Sequence, residues 1–197
     1  MPRTANHDEQ RRRIAEATWT VVARDGFSAA TVREIARTAG CTTGTLSHYF
    51  RGRNEMIAFA FDLVVADVCD QVDQRAATTP PGRARLEMLV EEFQPDPTDS
   101  DPTAVVTLWA WAQAATDKRL AGRLRHNYDR LRQLATRFVE EAITAGDLPH
   151  DANPSDTADT IICFADGLCA ASILDPRRFP PDRRVELTER LLTRLRA

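Results

Sequence analysis

A chain of 197 residues with 43% hydrophobic content can build a substantial core, as one domain of ordinary size or two small ones. Its net charge of -3 argues against a uniformly basic nucleic-acid binder, the start "MPRTANHDEQRRR" is too polar for a signal peptide, and Asp62 and Asp67 interrupt the apolar run "IAFAFDLVVADV" before membrane-spanning length. A cytoplasmic protein with no membrane partner is therefore expected.

In chain order the segments read as helices, with apolar residues recurring at three and four and no β-branched alternation. The first runs from about Glu9 to Asp25, where Ile14, Ala17, Val21 and Val22 form one stripe; Gly26 is expected to supply a left-handed stop and Phe27 to enter the core. Thr31 caps a second helix, with Glu34 as its capping-box partner. After the motif described below, a long helix spans about Asn54 to Ala76 and ends at "TTPPG". Helices at about Arg83–Phe93 and Thr103–Thr116 flank "QPDPTDSDP", a loop expected to be mobile. The last three are expected at about Lys118–Ala145, Ser155–Leu174 and Pro181–Arg196. The fold class is thus all-α with about nine helices: a three-helix helix-turn-helix domain over residues 1–53 and a larger helical domain for ligand binding and dimerisation over residues 54–197.

Residues 33–50, "REIARTAGCTTGTLSHYF", place Gly40 four residues after Ala36 and Leu46 six further on, the spacing of a helix-turn-helix. Ala36 is small because the second helix crosses over it, Gly40 tolerates the turn, and Ile35, Leu46 and Phe50 face inward to set the crossing angle. Thr42 caps the next helix. Thr43, Gly44, Thr45, Ser47, His48 and Tyr49 then crowd its first turns with short donors and acceptors, as a recognition helix entering the major groove requires. The plainer alternative is that these hydroxyls only cap a helix. Charge favours the former: residues 1–53 carry nine arginines against five carboxylates, a net +4 that leaves -7 for the remainder.

The stretch "GFSAATVREIARTAGCTTGTLSHYFRGRNEMIAFAF" resembles the N-terminal domain of the TetR family of transcriptional regulators, over about residues 10–62. The resemblance implies phosphate contacts from Thr31, Tyr49 and Arg53, and readout or groove contacts from Thr42, Thr43, Gly44, Ser47 and His48. Many members carry tyrosine where this chain has Ser47 and lysine where it has Arg53. "GTLSHYF" is similar to the BetI-like branch, and "WAWAQAATDKRLAGRLRHNYDRLRQL" resembles that branch's C-terminal domain more loosely; neither implies betaine or choline as ligand.

In the C-terminal region, "SDTADTIICFADGLCAASIL" is apolar almost all round, and Ala165, Gly167, Ala170 and Ala171 would let another helix approach closely. The final helix adds Val185, Leu187, Leu191, Leu192 and Leu195. The pair is expected to form a homodimer by packing against its own copy, as the resemblance also implies; monomer core is the alternative. A dimer would read a palindromic operator in double-stranded DNA. Phe59, Phe61, Phe93, Trp109, Trp111, Tyr128 and Phe138 exceed what a minimal bundle needs and either line a small-molecule cavity or fill a core. Candidate ligand contacts are Phe61, Val65, Leu108, Trp109 and Phe164, with His126, Asn127 and Asp166 as polar anchors. The helix starting near Arg53 links the two functions, because a ligand that tilts it changes the spacing of the recognition helices. A ligand-released repressor is the resulting expectation.

No catalytic residues and no cofactor are expected: His7, His48, His126 and His150 lie in unrelated segments, and hydrolase, zincin and phosphate-loop motifs are missing. Cys41, Cys69, Cys163 and Cys169 lack zinc-site spacing and read as small buried apolar residues, so no metal is expected; oxidation sensing at Cys41 is the alternative. A ligand-independent architectural DNA-binding protein competes with the regulator reading, and within the latter activator and repressor are not distinguished.

Overall fold

A computed structural model of the protein describes residues 2–94 and 103–196. The loop expected to be mobile, residues 94–102, lies outside the described residues except for Gln94. Among the described residues the chain is helical and has no strand: α1 (Pro2–Ala29), α2 (Val32–Thr38), α3 (Thr43–Tyr49), α4 (Arg53–Ala76), α5 (Arg83–Glu92), α6 (Thr103–Ala114), α7 (Lys118–Thr144), α8 (Pro154–Leu174) and α9 (Pro181–Leu195). From α4 onward these limits meet the sequence expectation to within two residues, because Pro, Gly and Asp mark the ends locally. The first helix starts earlier, at Pro2.

Gly26 interrupts α1 with φ 75 and ψ 174. This is not the left-handed helical stop that was expected: ψ is extended, in a region open almost only to glycine. The chain therefore leaves the helix at a sharper angle, and Phe27 does not sink into the core. It is half-buried, with its ring stacked on Trp109 at 4.1 Å and 4°.

The chain divides into two compact units, Met1–Val65 with Ser100–Leu124, and Ala66–Asp99 with Arg125–Ala197. The boundary read from the sequence, after residue 53, falls inside the first unit. A physical reason lies at Phe59 of α4, whose ring is 5.6 Å from that of Phe50. The guanidinium of Arg11, from α1, sits over both rings at 4.3 and 5.2 Å, an arrangement favourable for a cation on aromatic faces. Ile14, Val21, Ile35, Leu46, Phe50, Met56, Ile57 and Phe61 are all buried, so the start of α4 belongs to the apolar interior of this unit.

In the second unit the core gathers Val72, Leu86, Leu89, Leu134, Phe138, Val139, Ile161 and Ile162 from α4, α5, α7 and α8. Phe138 is fully enclosed; as a core residue it is not available to a ligand, and its truncation to alanine would cost about 3–5 kcal/mol. Helix α5 packs against both α8 and α9. Helix α8 has the length and apolarity to cross a bilayer, but the reason lies in its two faces. Ala158, Ile161, Ile162, Ala165, Leu168 and Cys169 are buried, while Cys163, Gly167 and Leu174 are exposed. Ala165 thus serves the chain's own core. On α9 the buried line is Arg184, Thr188 and Leu192, spaced by four; of the stripe expected to meet a second copy, Leu192 is thus taken into the chain's own core and Val185 is left outward.

Candidate nucleic-acid interface

Helix α1 packs on α2 and α2 on α3, with Ile35, Ala36, Leu46 and Phe50 buried as the motif requires. Helix α2 closes with a Schellman motif: the N–H of Cys41 donates to Ala36 O at 3.0 Å and that of Gly40 to Arg37 O at 3.2 Å, with Gly40 at φ 63. Added there, a Cβ would also stand 3.1 Å from Arg13 Nη2. The positive φ is what demands glycine at position 40, since the tip of the flexible Arg13 side chain can give way by the few tenths of an ångström required.

Thr31 caps α2, its Oγ1 accepting from the Glu34 N–H at 3.2 Å. The expected reciprocal bond of a capping box is replaced. The Glu34 carboxylate instead accepts from Arg24 at 2.8 Å and from Arg37, because two guanidiniums offer charge-assisted bonds that a single backbone N–H cannot match. Arg37 first, then Arg24, hold this carboxyl down to about 2. Thr42 caps α3, accepting from the Thr45 N–H at 3.1 Å, and the two hydroxyls lie 3.0 Å apart.

Among the candidate DNA contacts, Thr31, Thr42, Thr43, Gly44, Ser47 and His48 are exposed on one small helical headpiece. Ser47 donates its hydroxyl proton to Thr43 O at 3.0 Å, leaving its lone pairs outward. Tyr49 is half-buried between two imidazoles, with ring centroids 5.2 Å from His48 and 4.7 Å from His7. Gly44 is unlike Gly40: a Cβ would meet nothing nearer than Thr42 Oγ1 at 3.6 Å, an ordinary contact. The protein's own packing does not require glycine there.

Arg53 is half-buried, and its Nη2 donates to the carbonyl of Phe27. In this structure it is held by the protein rather than presented outward. Sequence reading missed Phe27 as a partner; the same residue takes Arg53 on its carbonyl and Trp109 on its ring. No local pattern signals contacts between residues so far apart along the chain.

The candidate ligand residues divide between the units. In the first, Phe61 and Val65 are buried, Leu108 is half-buried and Trp109 is engaged with Phe27. In the second, Asn127 is buried, Phe164 half-buried and His126 exposed. His126 does not join an interior site, because the buried stripe of α7 runs Leu120, Leu124, Asn127, Leu131, Leu134 and Phe138. That spacing of fours and threes was available in the sequence. Asp166 accepts from the Tyr128 hydroxyl at 2.9 Å, and burial pushes its carboxyl up to about 6 against the lowering effect of that bond. Gln94, which sequence reading missed, donates from Nε2 to Val90 O at 3.2 Å and to Ala165 O at 3.3 Å, while its Oε1 is enclosed without a partner.

Of the cysteines expected to be buried, Cys69 and Cys169 are, Cys41 is half-buried and Cys163 is exposed on the outer face of α8. Burial raises the thiols of Cys41, Cys69 and Cys169, the last to about 11, which disfavours the reactive thiolate.

The family model described as "Bacterial regulatory proteins, tetR family" matches residues 14–58, and that described as "BetI-type transcriptional repressor, C-terminal" matches residues 81–197. The HTH-type transcriptional regulator PksA of Bacillus subtilis (strain 168) is 31% identical over 187 residues, covering 93% of this chain and 88% of that protein. The HTH-type transcriptional regulator BetI of Escherichia coli O45:K1 is 33% identical over 88 residues, 45% of each chain. Among solved structures, a Saccharomonospora viridis protein in complex with choline gives a TM-score of 0.82 at 22% identity, covering 94% of this chain and 96% of that one. FadR of Bacillus subtilis in complex with stearoyl-CoA gives 0.76 at 17% identity, covering 94% and 97%. At these identities the two structures establish the fold.

Proposed function

The chain belongs to the TetR family of DNA-binding transcriptional regulators, and from this premise we propose that it is a repressor. It binds a palindromic operator as a homodimer and is released by a small-molecule effector. The observation that carries this reading is the headpiece of α3. Thr42, Thr43, Gly44, Ser47 and His48 are exposed together, on a helix held from behind by the buried Ile35, Ala36, Leu46 and Phe50. Short hydroxyls and a glycine with no internal duty suit an element that lies against DNA. With its proton held by Thr43 O, the Ser47 hydroxyl is best fitted to accept from a base amino group, as on cytosine or adenine, rather than to donate to phosphate.

The dimer reading is supported by the outer faces of α8 and α9. Leu174 and Val185, 80% and 59% exposed, are the exposed large hydrophobics among the described residues, and Gly167 and Cys163 lie outward on the same helix as Leu174. Such a face suits a twofold contact between copies.

Release follows from linkage: an effector that favours a conformation poorly matched to the operator lowers DNA affinity by the same factor that DNA lowers effector affinity. Arg53 can turn its Nη2 toward a phosphate only by leaving the Phe27 carbonyl. Phosphate binding is thereby tied to the turn after α1 and, through the ring stack, to Trp109 of α6. Two structural neighbours hold different ligands, choline and stearoyl-CoA, so the fold accepts ligands of unlike chemistry.

Fluorescence anisotropy on the purified chain tests the reading, with DNA upstream of its own gene against shuffled DNA of equal composition at one salt concentration. Specific binding is expected to be about a thousandfold tighter or more. Equal affinity for both DNAs would defeat the operator reading.

A further inference from the structure

Two acceptors in the second unit, on Gln94 just after α5 and on Asp166 of α8, are short of donors. Both amide protons of Gln94 have carbonyl acceptors, Val90 O and Ala165 O, which assigns the side-chain orientation and leaves Oε1 as an enclosed acceptor with nothing to accept from. The residue after Ala165 is Asp166, whose carboxylate receives one hydrogen bond, from the Tyr128 hydroxyl at 2.9 Å. Among the described residues no cationic side chain pairs with it. A buried amide oxygen without a donor and a half-buried carboxylate without a counter-charge are each unfavourable, and native interiors seldom leave such groups unmet. What both lack is the same thing, a donor, and one of them also lacks a positive charge. Phe93, Tyr128, Phe164 and Val68 are partly buried and pack against the same core, so aromatic and aliphatic surface accompanies the polar groups.

We infer that this cluster is the polar end of the effector site, and that it takes a protonated primary or secondary amine carried on an apolar body. The ammonium N–H groups donate to Asp166 and to Gln94 Oε1, and the apolar body lies on the accompanying rings, whose faces also favour a cation. An effector ending in a carboxylate would oppose Asp166. A quaternary ammonium would bring the charge but no N–H, leaving Gln94 Oε1 unmet. Burial pushes the Asp166 carboxyl up to about 6, so at neutral pH it is ionised and its charge uncompensated until such a ligand arrives.

The inference rests on the effector-responsive reading, and its test separates the two. Four probes with one tail, n-hexylammonium, hexyltrimethylammonium, hexanol and hexanoate, are titrated calorimetrically into the full chain and into Asp166→Asn and Gln94→Leu. Asp166→Asn keeps the side-chain shape and an acceptor for Tyr128, and thermal melting confirms that each variant is folded. Hexylammonium is expected to bind the natural chain tightest of the four, at least tenfold more weakly to Asp166→Asn, and several-fold more weakly to Gln94→Leu. Absence of hexylammonium binding, equal or tighter binding of any of the other three probes, or unchanged affinity in Asp166→Asn would overturn the assignment. Operator release is scored in parallel by anisotropy: amine binding without release leaves the site standing and removes the effector reading.

Discussion

Replacing Gly44 by alanine sets stability and function against each other. Gly44 is exposed in the first turn of α3, its φ is not positive, and an added Cβ meets only Thr42 Oγ1 at 3.6 Å. The methyl therefore fits without strain, and it restricts the unfolded chain more than glycine does. A gain of about 0.5–1 kcal/mol follows from helix propensity and unfolded-state entropy, toward the lower end because the site is in a first turn. For a chain of this size that corresponds to a rise of roughly 1–4 °C in Tm. Against DNA the same methyl occupies space that the proposed docking leaves to the groove; overpacking of about 1–3 kcal/mol weakens operator binding roughly 5- to 150-fold. Calorimetric melting at matched protein concentration and anisotropy at fixed salt read the two effects separately. A higher Tm with unchanged operator affinity would show that DNA does not approach position 44, and a lower Tm would refute the packing argument itself.

Asp166→Asn should alter the pH dependence of stability. In the folded chain its carboxyl titrates near 6 against an ordinary 3.8, so the native state binds the proton more tightly. The penalty is fully present above pH 6 and fades as pH falls through this window. The natural chain should therefore gain up to about 3 kcal/mol relative to the asparagine variant between pH 7 and pH 4, measured by urea unfolding; parallel pH profiles would refute it. Ser47→Ala should weaken operator binding by about 1–3 kcal/mol at operators whose facing base offers an amino group, with dimerisation unaltered; unchanged affinity removes Ser47 from the contacts. Leu174→Glu combined with Val185→Glu should yield monomers by sedimentation and abolish tight operator binding, since carboxylates in an apolar contact are costly to bury; a persistent dimer would move the interface elsewhere.

Local chemistry explains what could be read in advance. Thr31, Thr42 and Gly40 act on backbone groups within three to five residues, so their roles are written in their immediate neighbours. The buried positions of the motif follow from helical periodicity for the same reason. What escaped depends on distant partners. Glu34 is expected to close its own helix end, but Arg37 on the same helix and the distant Arg24 of α1 share its carboxylate. The expectation of a phosphate contact at Arg53 carries no hint that its Nη2 also reaches the Phe27 carbonyl. His126 and Asn127 are adjacent in sequence and about 100° apart around α7, enough to send one outward and one inward. Gln94 follows the end of α5, and only the fold brings it beside Ala165.

The inclusion of the first turns of α4, and of α6, in the same compact unit as the helix-turn-helix bears on how such a protein can change its target. A gene fragment ending at residue 53 would shear Phe59 from Phe50 and Arg11, and remove Trp109 from Phe27. Chimeras joined at that point would pair mismatched half-interiors and aggregate. Exchanging the outward residues of α3 disturbs none of those contacts. New operators are therefore more accessible by point substitution on the surface of an intact headpiece than by recombination between regulators, and a laboratory re-targeting the protein should graft side chains rather than domains.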